Sequence, residues 1–285
     1  MADTRLSDLP DDLLRHVLRF APSREAASTA VLSRRWRSLW PSPWDAAVNL
    51  DSRSYDRSTH GDDASRKRDA FFRGAAAALA AHGPSGVRSL AVHVEASECY
   101  DVRRFMFRGG SGSEEEEEPD IVDEVLRHPA CRRVEELRIG SEITSAQERA
   151  FRHHEWFTLA REHHEGHYEL SFGAVPAEAL RLLRIINCDG LTPPPPGATF
   201  RCLETLRLRQ CTVSIDSLQD MIVASPQLAT LHLDDSTGTS MSSQELCNNN
   251  QFNSSEIRRK ILPWDPKLKE RNLLSTRVKV LPLER

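Results

Sequence analysis

The sequence predicts an α/β chain in two parts: a small all-α helical module at the N-terminus, then a short, irregular stack of strand-bearing repeats. Three observations carry this. Leu13, Leu14, Val17 and Leu18 follow Pro10-Asp11-Asp12 with the periodicity of an amphipathic helix. Val87, Leu90, Val92 and Val94 alternate with polar or small residues, as a half-buried strand does. A pattern L-x-x-L-x-L-x-x-C runs through Leu180, Leu183, Ile185 and Cys188 and returns at Leu203, Leu206, Leu208 and Cys211. It returns again at Leu228, Leu231, Leu233 and Ser236. The copies start 23 and 25 positions apart, inside the range of about 20–29 residues of leucine-rich repeats.

The first helix has clear ends. Pro10 suits a first helical position, Asp11 and Asp12 put negative charge where the helix dipole favours it, and Pro22 stops the run. A second helical stretch follows, broken near Ser33. It places Leu32, Trp36, Leu39 and Trp40 on one side and Arg34, Arg35 and Arg37 on another. A helix pair this short holds more large apolar groups than it can bury alone, which marks a docking surface or a packing face for the rest of the chain.

Residues 45–68 read as a polar linker, with Arg66-Lys67-Arg68 a solvated basic turn. Asp69 to His82 is Ala-rich and helical despite Gly74, and Gly83-Pro84 ends it. The stretch 109–120, with Glu114 to Glu118 unbroken, reads as a disordered acidic loop; its adjacent carboxylates repel and do not converge on a metal ion. Ile121 to His128 is a short helix stopped by Pro129.

In the repeats, the central L-x-L is a short strand, and the Cys slot closes the turn with a small residue inside the stack. Ile215, Leu218, Met221 and Ile222 form the apolar face of a returning helix. Fainter copies stand at Val134, Leu137 and Ile139 and at Val87, Leu90 and Val92, with a weaker one at Leu170 and Phe172. The interval from His167 to Leu180 is too short for a helical return, and Pro193 to Pro196 fills another connection. The array over 69–236 is therefore degenerate. Residues 237–285, with Asn248-Asn249-Asn250 and basic segments, read as an atypical, poorly ordered tail. A truncated array or an altered reading of the gene would produce such a tail and leave the recognition surface incomplete.

Composition narrows the function. Net charge is −4, so no global polycation drives binding to nucleic acid or membrane. The N-terminus lacks a signal-peptide pattern, and no apolar run reaches the about 20 residues of a membrane span, so a soluble protein of cytoplasm and/or nucleus is expected. The cysteines (Cys99, Cys131, Cys188, Cys202, Cys211 and Cys247) form no C-x-x-C pair, and most read as reduced, buried small apolar residues. His153, His154, His163, His164 and His167 cluster, and His163 and His167 share the i, i+4 spacing of zinc ligands. No H-E-x-x-H accompanies them and Gly166 weakens the helix, so a solvated stretch is expected rather than a metal site. Without G-x-G-x-x-G, Walker or G-x-S-x-G motifs, the chain is expected to be no enzyme and to need no cofactor.

Leu9-Pro10-Asp11-Asp12-Leu13-Leu14, then Val31-Leu32-Ser33-Arg34-Arg35-Trp36-Arg37, then Leu39-Trp40 resemble, in order, the F-box of plant F-box proteins, here over 5–44. With the repeats, the resemblance extends to plant F-box proteins with leucine-rich repeats. It implies that Leu9, Pro10, Leu13, Leu14, Val17, Leu18, Val31, Leu32, Trp36, Leu39 and Trp40 build the module and its contact with a Skp-type adaptor. Through that adaptor the chain would join a cullin-based ubiquitin ligase, the repeats presenting a target protein for ubiquitination. The alternative is a protein-binding repeat scaffold with no part in ubiquitination.

Overall fold

The computed structural model describes residues 6–39, 46–55, 64–83, 86–96, 102, 105–106, 121–143, 168–234 and 237–239. The N-terminal module is three short helices: α1 (Asp11–Phe20), α2 (Ser23–Ser28) and α3 (Arg34–Leu39), with a 3-10 turn at Thr29–Val31 before α3. Pro10 precedes α1 as its cap, its carbonyl taking the Leu14 N–H at 3.0 Å. The helical stretch breaks at Leu32 and Ser33, as expected, and the Trp36 N–H is satisfied there by the Ser33 hydroxyl at 3.3 Å. Leu14, Leu18, Ala26, Trp36 and Leu39 form the module's own small core, with Leu9 and Ala21 packed against it.

The second part is built on a six-stranded parallel sheet of β1 (Ala47–Asp51), β2 (Ser89–Ala96), β3 (Glu136–Ile143), β5 (Leu182–Ile186), β7 (Thr205–Arg209) and β9 (Thr230–Asp234). These strands lie side by side in chain order. The register explains the repeat: Leu183, Leu206 and Leu231 stand in one row and Ile185, Leu208 and Leu233 in the next, so each L-x-L stacks on the one before. The faint copies continue both rows through Leu137 and Ile139 and through Leu90 and Val92. All ten residues are buried, against α4 (Ala64–Ala81), α5 (Ile121–Leu126) and α6 (Ile215–Ala224). In α6 Leu218 and Met221 are buried and Ile222 packs against the core, as the returning-helix pattern predicts.

The Cys slots also sit where the pattern puts them. Cys188 and Cys211 are buried, and the Cys211 thiol donates to the Ile185 carbonyl of the preceding repeat at 3.5 Å. The residue before each, Asn187 (φ 57°) and Gln210 (φ 52°), takes the left-handed conformation that turns the chain out of the strand. Asn187 repays the strain with a buried bond from its side-chain amide to the Ser141 carbonyl at 2.6 Å.

Three expectations are corrected. The stretch 45–68 is not all linker, because Ala47–Asp51 is the first strand of the main sheet, paired in parallel with Ser89–His93. Leu170 and Phe172 do not make a repeat strand in that sheet. The strand β4 (Tyr168–Ser171) pairs with β6 (Cys188–Thr192) in a separate two-stranded ladder, and Phe172 opens a 3-10 turn. The strand β10 (Thr237–Thr239) pairs with β8 (Thr212–Ser214), so strand structure passes the expected end of the array at 236. Trp40, Ser236, Cys99, Cys247, the histidine cluster, the acidic stretch 109–120 and residues 240–285 lie outside the described residues.

Candidate docking surface

Two faces of α1 serve different purposes. Leu14 and Leu18 point into the module, while Leu13 and Val17, expected on the same stripe, point to solvent. The correction follows from helix geometry. Adjacent residues lie about 100° apart, so a run of neighbouring leucines spans two directions, not one. Phe20 joins Leu13 and Val17 at i+7, and the three make an exposed apolar stripe of their own.

A second group of exposed apolar side chains stands at the turn before α3. Val31 and Leu32 sit in and after the 3-10 turn and are exposed, whereas Trp36 and Leu39 in α3 are buried. Leu32 was expected on the side of Trp36; the break at Ser33 resets the helical phase and turns it outward. With Leu6, the side chains Leu13, Val17, Phe20, Val31 and Leu32 are between 45% and 82% exposed. Sequence reading missed Leu6 and Phe20, although Phe20 stands in phase with Leu13 and Val17. Pro10 is exposed and Leu9 half-buried.

Of the arginines beside Trp36, Arg35 has a structural task. Its guanidinium pairs with Asp11 at 2.7 Å and reaches the Leu9 carbonyl, tying α3 to the start of α1. Arg34 and Arg37 are exposed.

Titratable groups gather instead at one end of the sheet. Arg53 holds Asp51 at 2.6 Å and approaches Glu95 at 3.3 Å, while His93 lies 3.9 Å from Glu142. Burial pushes the Asp51 carboxyl up, but the bonds from Arg53 outweigh it and leave the group below its ordinary range. His93, Glu95 and Glu142 have ligand atoms close enough to share a metal ion. Arg53 also approaches Glu95, so a cation already stands beside part of this cluster.

A profile of the F-box domain matches residues 6–45. A second profile, described as "FBD-associated F-box protein At5g56370, LRR repeats", matches residues 122–279, more than half of the chain, and runs on through most of the segment expected to be an atypical tail. The chain is similar to the FBD-associated F-box protein At3g12840 of Arabidopsis thaliana, 52% identical over 48 residues, which are 17% of this chain and 25% of that one. It is similar to the F-box/LRR-repeat protein At3g59190 of the same plant, 50% identical over 56 residues, covering 20% of this chain and 14% of the other. The MEIOTIC F-BOX protein MOF of Oryza sativa subsp. japonica is 64% identical over 36 residues, covering 13% and 8% of the two chains. The chain thus spans at most a quarter of the length of these curated relatives.

Proposed function

The chain belongs to the family of FBD-associated F-box proteins with leucine-rich repeats, and from that premise we propose that it is the target-recognition subunit of a Skp–cullin–F-box ubiquitin ligase. The observation that carries the proposal is the exposed apolar set Leu13, Val17, Phe20, Val31 and Leu32, left over after the module has filled its own core. Leaving such a patch in water is unfavourable, and a monomeric protein rarely carries one without a partner. In this reading the exposed set docks on the Skp-type adaptor, while Leu14, Leu18, Trp36 and Leu39 hold the helices that display it. Leu9 and Pro10 set the start of α1, and Trp40 continues the sequence motif.

The sheet then serves as a platform for a target protein. Such a subunit forms and breaks no bond itself; it raises the effective concentration of the target beside the catalytic partner. No cofactor enters this role, and the work is placed in the cytoplasm or nucleus. No helix among the described residues is long and apolar enough to cross a membrane.

The test is capture of the full chain by a purified Skp-type adaptor, compared with a Leu13→Asp, Val17→Asp variant. Both positions are exposed in the free chain, so the fold tolerates the charges, whereas a charge buried unpaired at an interface costs several kcal/mol, about a hundredfold or more in affinity. Capture of the native chain and its loss in the still-folded variant are expected. Equal capture of both would move the interface elsewhere, and no capture of the folded native chain would leave a repeat scaffold outside ubiquitination.

A further inference from the structure

The outer face of the sheet is electrically polarised. Arg138, Arg184, Arg207 and His232 occupy one register row on four successive strands, β3, β5, β7 and β9. Their strand neighbours Leu137, Ile139, Leu183, Ile185, Leu206, Leu208, Leu231 and Leu233 are buried on the opposite face, so the row projects outward. Neighbouring strands lie about 4.8 Å apart, which gives a ladder of basic side chains about 15 Å long. Like charges directly opposite one another weaken a sheet. Arg138 has Glu136 at 3.2 Å and Arg184 also has a partner, whereas among the described residues no carboxylate pairs with Arg207. The other end of the same face, over β1 to β3, carries Asp51, Glu95 and Glu142, only part of whose charge Arg53 offsets.

An exposed basic row with the unpaired Arg207 in it is complementary to an anionic partner. We propose that the row Arg138–Arg184–Arg207–His232 receives an acidic segment of the target protein, laid across the strands in extended form with its carboxylates over the arginines. This rests on the reading above in one respect, that the sheet is the target-holding platform. A 15 Å ladder accommodates about four or five extended residues, with side chains on one face recurring at about 6.6 Å. Two or three glutamates or aspartates therefore reach it from a single segment. The carboxylates over β1 to β3 decide between polyanions. A nucleic-acid backbone is negative throughout and would run into them, whereas a protein segment can change composition there, and the acidic end also fixes its direction.

The test uses the full chain and a fluorescein-labelled glutamate-rich peptide of about eight residues, read by fluorescence anisotropy against a lysine-rich peptide and a single-stranded RNA of similar length. The glutamate peptide is expected to bind, with affinity falling as salt rises, and the lysine peptide not to. Reversing charge at the exposed Arg207 (Arg207→Glu) should weaken binding about tenfold, and adding Arg184→Glu should weaken it further. Arg132→Glu with Arg133→Glu, off the sheet, should leave it unchanged. Circular dichroism establishes that each variant is folded, and Arg207→Gln gives an intermediate loss without inserting a new charge.

Failure of the folded native chain to bind the glutamate peptide would overturn the inference. Equal binding by Arg207→Glu would do the same, as would tighter binding of the RNA. Adaptor capture, measured on the same samples, separates this from the ligase reading. A native chain that binds the peptide but not the adaptor keeps the ladder and loses the ligase role; one that binds the adaptor but not the peptide does the reverse.

Discussion

Cys131 shows what one buried side chain contributes. Its thiol is buried and donates to the Val125 carbonyl at 3.3 Å, and burial pushes its pKa from 9.0 up to about 11. Between those values the unfolded chain releases the proton and the folded chain keeps it, so stability falls as pH rises from about 9 towards 11. Two units correspond to on the order of 2–3 kcal/mol. Urea titrations at pH 8 and pH 10.5 should show a larger loss for the native chain than for Cys131→Ala; equal losses would remove the thiol from the account. Below pH 9 the thiol stays protonated and reacts slowly with alkylating reagents, unlike a cysteine poised for chemistry. The pair Leu13 and Leu14 shows the limit of reading at this scale. Both are apolar at neighbouring helical positions, and only the position of α2 and α3, which no local pattern fixes, decides that Leu14 is core and Leu13 surface.

At the scale of elements, α4 contains an instructive exception. Helix propensity alone says that Gly74→Ala should stabilise this helix by about 1 kcal/mol. The Tyr55 ring lies across Gly74, however, and an added methyl carbon would stand 1.9 Å from its hydroxyl oxygen. Tyr55 also packs edge-on against Phe71 at 5.5 Å and has Arg24 above its ring at 4.4 Å, so it moves only by giving up both. Gly74→Ala should therefore lower stability, by about 1–3 kcal/mol. Paired with Tyr55→Ala, the same substitution should turn stabilising, and thermal unfolding of the single and double variants reads the change of sign. The helix itself was legible because alanine dominates it; the reason for its glycine was not, because Tyr55 is distant in sequence. The same contrast runs through the sheet. L-x-L strands announced themselves by spacing, and their rows in the register follow from it. Ala47–Asp51 carries no leading L-x-x and lies between polar stretches, so only its pairing with β2 identifies it as a strand. Tyr168–Ser171 looked like a weak repeat because Leu170 and Phe172 alternate correctly, yet its partner is β6. The exposed stripe on α1 was half legible: the motif drew attention to Leu13 and Val17, while Phe20 completes the stripe only once the inward face is known.

At the scale of the whole chain, the helical module and the sheet keep separate cores joined by a mainly polar seam. Leu14, Leu18, Ala26, Trp36 and Leu39 form one cluster, and the buried residues of the sheet and its helices form the other. A unit of about 40 residues rarely folds alone, so the module depends on what it leans against. That support is β1 and the turn after it. The Asn49 side chain donates to the carbonyls of Arg19 and Ala21, and its backbone N–H donates to the Ser23 hydroxyl at 2.8 Å. Arg24 donates to the Ser54 carbonyl at 2.8 Å, and the Ser54 hydroxyl donates to Glu25 at 2.9 Å. These bonds carry the position of the apolar docking stripe relative to the sheet, and with it the distance between a bound adaptor and a bound target. Asn49→Ala with Arg24→Ala removes three of these five bonds while leaving both cores filled. Each lost bond is worth about 1 kcal/mol, so local opening of the module should become easier by roughly 2–3 kcal/mol, about thirty- to a hundredfold in amide exchange. Hydrogen–deuterium exchange should show that acceleration in α1 to α3, with the amides of β2, β3, β5 and β7 keeping their native protection. Exchange that accelerates across the sheet as well would mean the two parts open as one cooperative unit. Unchanged exchange in α1 would mean the module stands on its five-residue core alone.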